Sequence, residues 1–158
     1  MSDLRSKLGE FSSIVCLKAI ITGMEDTLGD KATEIALVSA GRIRGKKLAM
    51  DGQLGSLNMD ENLEEITKAI AEVLGADGTR LLLLHKIECK DDLIYTYCTE
   101  TVCSAGEDSG SSRQCSFTLG ALQGVLEIIT ERRLRGVQIE SVLRGGEYDV
   151  FEYGSVLR

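Results

Sequence analysis

The stretch Cys115–Ser155, CSFTLGALQGVLEIITERRLRGVQIESVLRGGEYDVFEYGS, changes its hydrophobic period once, and that change decides the fold. Leu119, Leu122, Leu126 and Ile129 recur every three or four positions, the period of one helix face, with Ser116 as the expected N-cap. Val137, Ile139 and Ser141 then alternate with Gln138 and Glu140, Gly145-Gly146 offers a tight turn, and Glu147 to Tyr153 returns as a second strand. A helix feeding a β-hairpin is therefore expected here.

Working back toward the N-terminus, the period is again two from Arg80. Leu81, Leu83, His85, Ile87 and Cys89 are expected on one face, and Lys86, Glu88 and Lys90 on the other. After an Asp91-Asp92 turn, Leu93 to Cys98 alternates as its partner. Three helices precede this hairpin. Leu4, Leu8, Phe11 and Val15, continuing to Leu28, predict one long helix or two joined near Gly9, with Gly29 as C-cap and Asp30 capping the next. Ala32, Ala36, Ala40 and Ile43 mark the narrow face of the second helix. Asn58 and Glu61 form an Asn variant of a capping box for the third, which carries Leu63, Ile66, Ile70, Val73 and Leu74 to Gly75. Ser104–Ser112, with Gly106 and Gly110, is too polar to pack and reads as a flexible loop. The expected fold is α+β, in the order α-α-α-β-β-α-β-β, with helices packed on one face of a four-stranded, mainly antiparallel sheet. It forms a single domain over 1–158, with an N-terminal helical arm (1–50) and an α+β core (58–158).

Composition bounds the function. At 158 residues, 43% hydrophobic and 27% charged, the chain has the makings of one globular domain. No apolar run approaches the roughly 20 residues of a spanning helix. A net charge of −7 repels a phosphate backbone, which argues against nucleic-acid partners. Five cysteines, an odd number, follow an N-terminus without the basic and apolar regions of a signal peptide, so thiols in the cytoplasm are expected.

Few residues offer catalytic chemistry. The single histidine, His85, falls inside a strand, where satisfaction by the sheet is the expected state. Cys98, Cys103 and Cys115 surround the second strand and the loop into the fourth helix. They either converge as part of a tetrahedral metal site or stay apart as small hydrophobes, and their spacing lacks the short pairs of a zinc knuckle. No metal or other cofactor is assigned. Asp91-Asp92, Glu107-Asp108 and Glu64-Glu65 are adjacent pairs that cannot face one another across a cleft. No strand leads into a phosphate-binding glycine loop. Arg42, Arg44, Lys46 and Lys47 suit a helix C-terminus. Gly120 and Gly124, one turn apart, admit the close approach either of a packing element or of a ligand.

Phe117, Gly120, Gly124, Glu140, the Gly145-Gly146 turn and Phe151 together resemble the 4-vinyl reductase domain. That family comprises small hydrocarbon-binding or regulatory modules, and its fold is shared with vesicle-tethering subunits of the TRAPP complex. The upstream Leu28-Gly29 and Ala40-Gly41 with Gly45 resemble the region preceding such domains. Family members often carry two cysteines, proposed as metal ligands, where this chain has Leu143 or Arg144 and Asp149. The resemblance implies a homodimer enclosing an apolar ligand between the fourth helix and the sheet. The function expected is a non-catalytic binding module for an apolar small molecule or acyl chain, with occupancy passed to a partner. Its candidate lining residues are Tyr95, Tyr97, Cys98, Cys115, Phe117 and Gly120, of which Tyr95 and Tyr97 share one strand face and Cys98 takes the other. Two alternatives stand beside it: a structural homodimeric interaction piece with a filled core, and an accessory factor in tetrapyrrole vinyl reduction suggested by the family's name alone.

Overall fold

The computed structural model describes residues 5–156. Leu4 lies outside them, and the chain around Leu8 is a turn, so the first helix, α1, starts late, at Ile14–Leu28. Ser13 caps it, its Oγ accepting from Val15 N. Helix α2 follows at Asp30–Asp51, with Gly29 rather than Asp30 in the cap position. Helix α3 spans Leu63–Leu74. Its cap is Asn62, whose Oδ1 accepts from Glu64 N and Glu65 N; Asn58 instead closes its own turn by accepting from Asp60 N at 3.1 Å. The capping chemistry is as expected, four residues later. Ile66, Ile70 and Leu74 are the buried stripe of α3.

Strands β1 (Leu83–Lys90) and β2 (Leu93–Thr99) form the first hairpin. Asp91 and Asp92 both have positive φ, 51° and 62°, the backbone of a two-residue turn whose twist matches the strands. Helix α4 (Ser116–Thr130), strand β3 (Leu134–Glu140), a 3₁₀ turn at Val142–Arg144 and strand β4 (Asp149–Ser155) complete the chain. The sheet order is β1-β2-β4-β3, and every pairing is antiparallel. The element order and the single helix-bearing face agree with the pattern of the sequence.

The alternation in β1 differs from the expected one. The register shifts between Leu84 and Lys86, so a bulge falls at His85, and Leu84 and Ile87 face inward while His85 is exposed. His85 is satisfied by the sheet: Nε2 lies 2.7 Å from Thr99 Oγ1, and the ring sits 5.2 Å from that of Tyr148.

The core lies between the sheet and α4, with Phe151 and Tyr153 fully buried and the Tyr153 hydroxyl donating to Leu119 O at 2.9 Å. Helix α2 lies along the other side of α4. The expected narrow face is not the one used, since Ala32, Ala40 and Ile43 are exposed; instead Gly41 and Gly45 meet the backbone of Phe117 and Ala121, and Gly120 and Gly124 meet the backbone of Val38 and Arg42. A Cβ at any of the four would strike a carbonyl oxygen of the facing helix. The two glycines of α4 therefore serve helix packing. The space beside them holds α2, and the expected gap above the strands at this point is not there.

Candidate functional site

The cation cluster on α2 is not a C-terminal one, because the helix continues to Asp51. Arg42 Nε and Lys46 Nζ donate to Glu127 Oε2 of α4 at 2.8 and 2.9 Å, and Lys47 pairs with Asp51. Glu127 Oε1 also accepts from Leu134 N at 2.9 Å. Burial raises the pKa of this carboxyl, but Arg42, the Leu134 amide and Lys46 outweigh it and hold the group below the usual carboxylate range. Glu127 thus joins α2, α4 and the start of β3.

The 103–115 loop also contradicts its reading as an unpacked segment. Cys103 and Cys115 are joined as a disulfide across it, with Cα atoms 5.0 Å apart. Glu107 pairs with Lys18 of α1 and with Arg113, and Arg113 pairs in turn with Glu25 of α1. Gly110 N donates to Leu143 O at 2.6 Å. The polar loop packs through charge instead of apolar area. Lys18, with Ser111 and Arg113 helping against burial, holds the Glu107 carboxyl down at about 2. A glutamate in the unfolded chain titrates near about 4.3. A depressed group stabilises fully above the unfolded value and loses that contribution as pH falls toward the folded one. The stability difference between the native chain and Glu107→Gln is thus expected to be full above about pH 4.3 and to close toward pH 2. Denaturant unfolding across that range checks it, and a difference constant with pH contradicts it.

The disulfide sits in a polar nest. Thr101 Oγ1 donates to Asp149 Oδ2 at 2.7 Å and lies 3.1 Å from Cys103 Sγ, while Val142 N donates to Asp149 Oδ1 at 3.1 Å. Cys115 N donates to Gln138 Oε1 at 2.9 Å, and Cys115, not Ser116, holds the N-cap position of α4. The two sulfurs and an Asp149 oxygen lie within 4.8 Å of one another, all from buried residues. Of the three cysteines left open to converge or stay apart, Cys103 and Cys115 therefore meet, with Asp149 as their neighbour. Bonded to each other, the sulfurs lack the thiolate charge of metal ligands, so this trio does not fit a metal ion in this state. Cys16 and Cys89 are exposed free thiols. Cys98 is a buried one, its pKa driven up by burial and by the charge of Asp149.

Against this nest opens a cleft of about 320 Å³ between α1, α2, the disulfide loop and the start of α4. Ile21, Leu37, Val102 and Phe117 supply its apolar wall, Cys103 and Cys115 its sulfur wall, and Glu25, Asp30, Glu34 and Arg113 its charges. Thr33 and Thr118 also line it, each only 1% exposed, and neither hydroxyl has a hydrogen-bond partner. Buried hydroxyls are nearly always satisfied, so two orphans on one cleft set it apart from the rest of the surface.

Of the candidate lining residues, Cys115 and Phe117 border this cleft. Cys98 lies on the inner sheet face opposite Asp149, and Gly120 is pressed on Val38. Tyr95 and Tyr97 point to the helix-free face, where Tyr97 donates to Glu88 Oε2 at 2.7 Å and stands edge-on to Tyr148. The hydroxyls of Thr33 and Thr118 carry no signal in the sequence, since a threonine on a helix reads as an ordinary surface or core residue.

No family model and no curated protein matches this sequence. Solved structures do share its fold. The phenol-responsive sensory domain of the transcription activator PoxR, solved with phenol, aligns over 92% of this chain and 76% of its own, at 12% identity and a TM-score of 0.69. Trafficking protein particle complex subunit 3 from Naegleria fowleri, covalently bound to palmitic acid, aligns over 91% of this chain and 93% of its own, at 12% identity and a TM-score of 0.60. A vinyl-4-reductase family protein from Methanocaldococcus jannaschii aligns over 95% of this chain and 85% of its own, at 20% identity and a TM-score of 0.48. At such identities the likeness is one of fold, and it agrees with the tethering-subunit fold that the sequence resemblance implies. Among the described residues no helix is long and apolar enough to cross a membrane.

Proposed function

We propose that this chain is a non-catalytic sensor or carrier module that binds a small, largely apolar molecule with one polar group in the cleft beside the Cys103–Cys115 disulfide. One observation carries the reading: two buried hydroxyls without partners, Thr33 and Thr118, line a cleft that also holds the apolar side chains of Ile21, Leu37, Val102 and Phe117. A ligand that brings its own donor or acceptor satisfies them while its apolar body is removed from water, worth roughly 25 cal/mol per Å². The volume lies within the range of small-molecule sites. That two proteins of this fold were solved with phenol and with palmitic acid supports the ligand class. Cys115, the N-cap of α4, and Arg113, paired with Glu25 of α1, border the cleft, so occupancy bears on how the helices and the loop sit together and can be read by a partner.

The test uses Thr33→Val and Thr118→Val, which keep the shape and remove the hydroxyls. Each is expected to stabilise the ligand-free chain by about 1 kcal/mol, since an unsatisfied buried group is deleted. Both are expected to weaken binding of simple phenols and medium-chain fatty acids, followed by native mass spectrometry. Binding unchanged in the double variant, or a loss of stability in the ligand-free chain, counts against the reading.

A second reading, a homodimeric interaction piece, is favoured by the apolar side chains that the helices leave in water: Ile20 is 61% exposed, Ile43 70% and Met50 58%. Sedimentation of the purified chain separates the two, because Ile43→Glu abolishes a dimer built on this face and leaves the cleft untouched.

A further inference from the structure

On the other side of the Cys115-Ser116 turn runs a second, larger groove of about 750 Å³, between α2 and the outermost strand β3. Its floor is apolar, from Val38, Leu119 and Leu134, and its lips are Ile35, 61% exposed, with Val137 at 46% and Val156 at 43%. Lys31, Arg133 and Arg135 stand along it, and Glu34, paired with Lys31, is the sole carboxylate among its lining residues. In a chain of net charge −7 this is a cationic strip. Arg133 and Arg135 are exposed, and their guanidinium groups make no hydrogen bond or ion pair with the described residues. Unpaired cations beside exposed apolar lips suit a partner that carries both carboxylates and apolar side chains.

The strand edge adds a geometric requirement. Leu134 N donates to Glu127 and Leu134 O accepts from Gln123 Nε2, so the peptide groups of Leu134 point away from β4. Backbone alternation in an antiparallel ladder places those of Gly136 on the same free edge. Those of Leu134 are already taken, so the open groups begin at Gly136, and open peptide groups on an outermost strand are a template for one more strand. A membrane surface cannot reach such groups, whereas an extended peptide can.

We propose that this groove is a docking site for an extended acidic and apolar segment of a partner protein, which adds to the free edge of β3 and sets its carboxylates on Arg133 and Arg135. The main-chain bonds supply affinity, while alternate side chains supply specificity, one set meeting Arg133, Arg135 and Val137 on the outer face of β3 and the other meeting Ile35, Val38 and Leu119 on the side of α2. This site is separate from the ligand cleft, although both reach the Cys115-Ser116 turn.

The experiment is a fluorescence-polarisation titration of the full chain with a labelled peptide of about six residues, the common strand length, alternating Glu and Val. Saturable one-to-one binding is expected. Arg133→Glu with Arg135→Glu, checked for an unchanged circular dichroism spectrum, is expected to weaken it by about tenfold or more, the scale of a lost charge-assisted contact. The same peptide N-methylated at alternate amides is expected to lose binding, as is a peptide alternating Lys and Val. Absence of binding overturns the proposal, as does equal binding by the N-methylated peptide or by the charge-reversed protein. A dimer in sedimentation that the charge reversal dissociates also overturns it, since a second copy would then occupy the groove.

Discussion

Gly124→Val destabilises the chain by about 3 kcal/mol, at the upper end of what overpacking usually costs. The obstacle is not a side chain able to rotate away. A Cβ at position 124 strikes the Arg42 carbonyl oxygen and comes within 2.8 Å of Lys46 N and 3.0 Å of Arg42 C, so α2 as a whole must move off α4. Gly124→Ala is expected to destabilise as well, by roughly 1 kcal/mol after the gain in helix propensity is subtracted. Gly23, in the middle of α1, is the control, because a Cβ there meets nothing within 4 Å. Gly23→Ala is expected to stabilise by about 0.5–1 kcal/mol through propensity alone. Thermal unfolding of the three variants checks the set. If Gly124→Ala raises the midpoint as Gly23→Ala does, the close α2–α4 contact is refuted.

The second large effect belongs to Glu127, which is 5% exposed and accepts from Arg42, Lys46 and Leu134 N. Glu127→Ala leaves two cations without their counter-charge and a buried amide without its acceptor. Breaking a buried pair by removing one partner costs about 3–5 kcal/mol. Side-chain exposures of 32% for Arg42 and 36% for Lys46 let water replace part of the loss. The expected destabilisation is therefore about 3 kcal/mol, on the order of 10 °C in Tm for a chain of this size. Glu127→Gln keeps an acceptor for Leu134 N and is expected to lose less. Equal losses in the two variants would mean that the charge carries the whole effect and the acceptor for Leu134 N none of it, whereas no loss in Glu127→Gln would mean that charge plays no part in holding α2 to α4.

The element order was legible because hydrophobic period survives tertiary context: Leu119 to Ile129 and Leu63 to Leu74 are helices, and the first hairpin closes at Asp91-Asp92, whereas the second closes over 141–148 through a 3₁₀ turn instead of a tight turn at Gly145-Gly146, and its strand begins at Asp149 instead of Glu147. Element ends were less legible. Asn58 and Asn62 both offer a side-chain cap, and only the folded chain selects Asn62. The facing of β1 was hidden by a one-residue bulge at His85, which reverses the inward set beyond it.

The site was legible only in part. Cys115 and Phe117 were within reach because they sit at the start of the fourth helix, beside the loop. Gly120 misled because a missing side chain signals close approach without saying what approaches, and here α2 does. The same ambiguity hid the α2 cations. Their partner, Glu127, lies 85 residues from Arg42 along the chain, and the sequence shows no such pairing. Ion pairs hold the 103–115 loop for the same reason, since Lys18 and Glu25 belong to α1, far upstream.

A crystal structure of the chain purified without added ligand tests the account most directly, by what it shows between α1, α2 and the disulfide loop. The account predicts a bound molecule there, its polar group within hydrogen-bond distance of the Thr33 and Thr118 hydroxyls and its apolar body against Ile21, Leu37 and Phe117. Side chains closed over that space, with both hydroxyls bonded to backbone carbonyls of their own helices, would contradict it.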